Sequence, residues 1–123
     1  MVVAYFPKSK PINTAFAFSF TRDHRFRVEL YVDLLDKQKN KRVFDALEAD
    51  KEKYEDILGD ISWERIDNKR ASRIAIYHDG HILDNNAKLQ QLRKWAVQTM
   101  EKFYDTFADD AGKIIMQELE KAE

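Results

Sequence analysis

The stretch RVELYVD at residues 27–33 returns 46 residues later as RIAIYHD at residues 73–79. Arg, Tyr and Asp keep the same spacing, with β-branched residues or Leu alternating between them. Such alternation marks a strand, because successive side chains leave the backbone on opposite sides. In the first copy it gives Phe26, Val28, Leu30 and Val32 one face, and Arg27, Glu29, Tyr31 and Asp33 the other. Each copy is therefore expected to be a core strand with one buried side, its Arg and Tyr sharing the opposite side.

Upstream, AFAFSF at residues 15–20 alternates in the same way. Pairing Phe20 with Phe26 across the polar TRDHR sets Phe18 beside Val28 and Phe16 beside Leu30, an antiparallel hairpin with one apolar side. Ahead of the second copy, ISWERI and the turn DNKR supply another hairpin. Trp63 then faces Ile74 and Ile61 faces Ile76, which leaves Glu64 opposite Arg73. Between the hairpins Asp36 suits a helix cap, and Val43, Phe44, Leu47, Tyr54, Ile57 and Leu58 follow helical spacing to a stop at Gly59. Beyond DGHILDN, Leu89, Leu92, Trp95, Ala96, Met100, Phe103 and Phe107 form one stripe of a long helix.

The order ββαββα predicts an α+β two-layer sandwich: a four-stranded antiparallel sheet with helices on one face. The repeat is compatible with internal duplication of a ββα unit, and strand order stays open. Residues 1–13 hold both prolines and read as an N-terminal arm or linker, with residues 14–123 a single domain. Helical to about residue 122, the last helix would measure roughly 55 Å, against roughly 35 Å for a domain of this size. Residues 109–123 are thus expected to form an extra helix after a break near DDAG, or to overhang. An overhang would pack on a second copy, giving a homodimer through the C-terminal helix.

Composition narrows the function. At 123 residues one domain is expected, large enough to fold without metal or disulfides. The absence of cysteine excludes thiolate metal sites and thiol nucleophiles and fits a cytoplasmic setting. A net charge of −1 lacks the basic excess of a dedicated duplex-DNA binder, so any nucleic-acid role rests on a local patch. No apolar run has the length of a signal core or a membrane span, so no membrane partner is expected. With three glycines there is no Walker loop, nucleophile elbow or dinucleotide fingerprint, and no cofactor is expected.

Signals for catalysis are thin. A restriction-type nuclease needs an acid-x-Lys triplet on a strand, yet Lys69 is the only lysine with an acid two places before it, Asp67, and that triplet falls in a turn. HDGH at residues 78–81 offers two histidines in a Gly-containing turn without a third ligand, so no metal site is assigned. The outward strand face is the better candidate. Arg27, Glu29, Tyr31, Arg73 and Tyr77, with the nearby Arg65, Lys69 and Arg70, supply guanidinium and aromatic planes suited to phosphates, bases or a partner protein.

RVELYVD, NKRVFDALEADKE and ISWERIDNKRASRIAIY together resemble the domain-of-unknown-function family 4268, over roughly residues 15 to 107. The resemblance implies an accessory module, often C-terminal to a restriction-endonuclease-like domain and acting in nucleic-acid transactions. It implies no catalysis by the module itself. The family pattern falls on Arg27, Glu29, Tyr31, Asn40, Trp63, Arg65, Lys69, Arg70, Ser72 and Arg73, of which Trp63 is expected in the core. Three readings result. The first is a non-enzymatic module binding nucleic acid or a nuclease-type protein. The second is a protein-interaction or homodimerisation domain. The third is a divalent-metal nuclease using Glu29, Asp33 and Asp67.

Overall fold

The two copies of the repeat pair with each other at the centre of the sheet. In the computed structural model, which describes residues 2–5 and 13–121 with the side chains of 13–121, strand β3 (Arg25–Val32) lies antiparallel to β5 (Ser72–Asp79). Strand β2 (Ala15–Phe20) flanks β3, and β4 (Ser62–Glu64) flanks β5. The expected registers hold. Phe20 pairs with Phe26, Phe18 with Val28 and Phe16 with Leu30, while Trp63 pairs with Ile74 and Glu64 with Arg73. Ile61 lies one residue outside β4, yet still packs on the core.

These four strands form the expected α+β sheet, and a fifth joins them. Strand β1 (Val2–Tyr5), within the segment read as an arm or linker, pairs antiparallel with β2, giving the order β1-β2-β3-β5-β4. Alternation was hidden there because VVAY is apolar throughout. Residues 6–12 of that segment lie outside the described residues.

Helices α1 (Lys37–Glu48), α2 (Lys51–Leu58) and α3 (Asn86–Glu120) cover one face. Asp36 caps α1 by accepting from the Lys39 amide, and Gly59, at φ 81°, ends α2. The single helix expected before Gly59 is broken at Asp50. Its amide turns back to Leu47 O at 3.1 Å, three residues away rather than four, and the chain restarts. The break lets Val43, Phe44 and Leu47 bury from α1 while Tyr54 buries from α2. Tyr54 reaches α3, where its hydroxyl donates to Asp110 at 2.8 Å and its ring lies 4.5 Å from Phe107.

Helix α3 corrects both alternatives for the tail. It runs unbroken through DDAG, about 52 Å at 1.5 Å per residue, and its far half does not overhang. Ala111 and Ile115 are buried in the same core as Phe44 and Leu47, and Arg42 of α1 donates to Glu118 at 3.0 Å. The tail is covered within one chain by α1 and α2, so it needs no second copy to bury it.

Candidate functional site

The face away from the helices is a continuous ladder of ion pairs. Glu29, 5 % exposed, accepts from Arg73 Nε at 2.8 Å, Arg27 Nε at 3.0 Å and Ser19 Oγ at 3.0 Å. Arg73 also donates to Glu64 at 3.1 Å, and Glu64 accepts from Tyr77 Oη at 2.6 Å and Ser62 Oγ at 2.9 Å. Register builds this ladder: Arg27 stands opposite Tyr77, Glu29 opposite Ala75 and Tyr31 opposite Arg73. At one end the Arg25 guanidinium lies 4.0 Å from the Tyr77 ring centre, and at the other Arg73 lies 5.9 Å from that of Tyr31.

The ladder shifts its own titrations. Burial pushes Glu64 upward, but Tyr77, Ser62 and Arg73 outweigh it and hold the carboxyl below its ordinary range. Burial also raises the Tyr77 phenol, and the Glu64 carboxylate beside it adds to the effect. Arg73 is partly desolvated, which favours its neutral form, yet Glu29 and Glu64 raise it overall and keep it charged.

Beside the ladder is a shallow depression of about 390 Å³, lined by Asn13, Ala15, Ala17, Arg27, Glu29, Tyr31 and Arg73. The small side chains of β2 leave this space; larger residues at 15 and 17 would fill it. Of the residues expected at the site, Arg27, Glu29, Tyr31 and Arg73 meet here, with Tyr77 one step along the ladder.

The loop residues divide. Arg70 holds Asp33, two residues beyond Tyr31 in the chain, through two bonds, 2.7 and 3.0 Å, so it flanks the depression without lining it. Lys69 is exposed in the adjoining turn. Arg65 does not join them. Its guanidinium points to the helical layer, where Asp45 of α1 accepts at 2.8 and 3.0 Å, and it also contacts Asp67. Those two carboxylates raise Arg65, fixing its charge. Arg65 ties loop to helix.

The carboxylates of the nuclease reading, Glu29, Asp33 and Asp67, are each bonded to a different set of arginines. Among the described residues no group of three or more His, Asp or Glu side chains is placed to hold a metal ion. The histidines of HDGH diverge: His78 lies 4.7 Å from Trp95, and His81 lies 4.2 Å from His24, ring centre to ring centre. No helix among the described residues is long and apolar enough to cross a membrane.

Two residues of α1 bear on the site: Asn40, which only the family resemblance pointed to, and Lys41, which sequence reading missed. Asn40 is fully buried; it accepts from the Leu34 amide at 2.6 Å and donates to Asp33 at 3.1 Å and to Arg70 O at 3.0 Å. Lys41, 6 % exposed, donates to main-chain oxygens of the β4–β5 loop. The signal was there, since Asn40 precedes Phe44 by four residues and Leu47 by seven, on the apolar stripe.

These features define a two-layer α+β module whose open sheet face is charged, internally paired and concave at one point. The chain belongs to the family described as Domain of unknown function (DUF4268), which matches residues 7–110. No curated protein and no solved structure matches the chain.

Proposed function

We propose that this chain is a non-enzymatic accessory module that binds single-stranded nucleic acid on its outer sheet face. The observation that carries the reading is the depression beside Tyr31. An alanine floor lies between an aromatic ring and two guanidinium planes, which suits an unstacked base with its phosphate against Arg27 or Arg73. A duplex keeps its base planes inside the stack and fits this shape less well. The module works in the cytoplasm, beside or within a nucleic-acid-processing assembly.

A protein partner of the nuclease type is the second reading. The arginines favour it, because Glu29 and Glu64 already occupy much of their donor capacity and lower the net charge offered to phosphate.

Fluorescence anisotropy separates the two, using short single- and double-stranded DNA and RNA at low and physiological salt. The informative variants are Tyr31→Ala and Arg27→Gln. Arg73 is less suitable because it bridges both carboxylates. Single-strand binding that survives physiological salt and weakens roughly tenfold in each variant supports the nucleic-acid reading, base–aromatic stacking alone being worth roughly 1–3 kcal/mol. No binding at tens of micromolar protein overturns it and leaves the protein partner.

A further inference from the structure

We propose that Lys41 is a built-in cation that locks the β4–β5 loop, residues 65–71, as the preformed rim of the outer-face site. The lock is read from geometry alone; its consequence for binding rests on the nucleic-acid reading above.

Lys41 Nζ sits in a cage of oxygens. It donates to Ile66 O at 2.9 Å, Ala71 O at 2.8 Å and Ser72 Oγ at 2.9 Å, and it contacts Arg65 O. Ser72 Oγ in turn donates to Arg65 O at 2.8 Å, closing the cage. No carboxylate takes part. Asp45 and Asp67, which act on the amine electrostatically, are themselves bonded to Arg65. Burial, with Arg65 and Lys37, lowers the Lys41 pKa, so the position carries a cost that an ordinary surface lysine avoids. Carbonyl dipoles converging on one point are how proteins hold a cation without a counter-charge.

The loop is bent to make that cage. Ile66 has φ 54°, a left-handed conformation that is a genuine outlier for a β-branched residue. Lys41 and its neighbour Asn40 hold both feet of the loop: Lys41 takes the carbonyls of 65, 66 and 71, and Asn40 takes that of Arg70. Between the feet only a tight turn is left, closed by the Lys69 amide on Ile66 O at 3.0 Å, with Asp67, Asn68 and Lys69 exposed. The Arg70 side chain is half exposed, and Asp33 uses Nε and one terminal nitrogen, so its other terminal nitrogen is left for a ligand beside Tyr31. A rim fixed in advance saves the ordering entropy that a mobile loop would lose on binding.

The test combines a charge-removing variant with chemical rescue. Lys41→Met keeps the unbranched apolar stem and removes the ammonium; Lys41→Ala leaves a space into which propylammonium fits, with tetramethylammonium at equal ionic strength as control. Hydrogen exchange at the Lys69 amide reads the lock, and affinity for a single-stranded oligonucleotide reads the rim. Both variants are expected to speed exchange at residues 65–72 and to weaken binding at least roughly tenfold, the scale of one lost charge-assisted hydrogen bond. Amides of β2 and β3 should stay at the wild-type rate. Propylammonium should restore Lys41→Ala and tetramethylammonium should not. If Lys41→Met does not fold, recovery of folded Lys41→Ala by propylammonium alone supports the lock, and failure of that recovery overturns it. Wild-type exchange in Lys41→Met overturns the lock. A loosened loop with unchanged oligonucleotide affinity overturns the rim. A loosened loop in a protein that binds no oligonucleotide defeats the nucleic-acid reading and supports the lock.

Discussion

Glu29 and Arg73 meet across the β3–β5 ladder at 2.8 Å, one residue from each copy of the repeat. Their contact follows from a local symmetry. With Glu29 opposite Ala75, the Arg of each copy faces the Tyr of the other: Arg27 with Tyr77, and Arg73 with Tyr31. A pair of strands carrying Arg and Tyr four residues apart meets itself this way only when paired antiparallel and centred. Glu29 then stands between two guanidinium groups on an otherwise open face.

Removing the Glu29 carboxylate should therefore cost more than a surface charge does. In Glu29→Ala the partly buried Arg27 loses its carboxylate and Arg73 keeps only Glu64. A loss of roughly 2–3 kcal/mol is expected in urea unfolding, below the figure for a fully buried pair because both arginines keep some solvent contact. Ser19→Ala, which removes one neutral donor from the same carboxylate, should cost roughly 1 kcal/mol.

The Asp33–Arg70 pair gives a pH signature. Burial pushes Asp33 upward, but Arg70, the Leu35 amide and Asn40 outweigh it and hold the carboxyl below the ordinary 3.8. A carboxylate lowered in the folded state contributes stability that is complete above its unfolded value and is lost as pH falls through its folded value. Urea midpoints from neutral pH down to about pH 2 should show the wild-type advantage over Asp33→Asn shrinking below the ordinary aspartate range. An advantage constant across that range would mean that Asp33 is not lowered by its partners.

The tail of α3 makes a prediction about association. Ile115 is buried within one chain, so Ile115→Ala should cost roughly 2–5 kcal/mol. The loss in thermal midpoint should be the same at low and high protein concentration. A deficit that grows on dilution would mean that Ile115 is covered by a second copy.

Gly59 isolates a backbone effect. Its φ is 81° and an added Cβ would meet nothing within 4 Å, so Gly59→Ala should lose roughly 1–3 kcal/mol from conformation alone. Thermal unfolding measures the loss, and an unchanged midpoint would show that α2 ends in another way.

Hydrophobic period alone identified part of the fold. AFAFSF and the two repeat copies declared three strands, and their alternation set the Phe18–Val28 and Trp63–Ile74 registers, because a one-residue slip would turn every apolar side chain outward. It also placed Arg27, Glu29, Tyr31 and Arg73 on one open face. Strand β1 gave no such signal, since VVAY has no polar residue to mark a side. The break at Asp50 was equally silent: Leu47 and Tyr54 lie seven residues apart and fit one continuous helix as well as two. No local pattern specifies that β3 and β5 are neighbours, that the arginines reach Glu29 and Glu64, or that Lys41 turns inward. Those outcomes depend on partners far apart in the chain, whose meeting follows from burial of a common core and not from local preference.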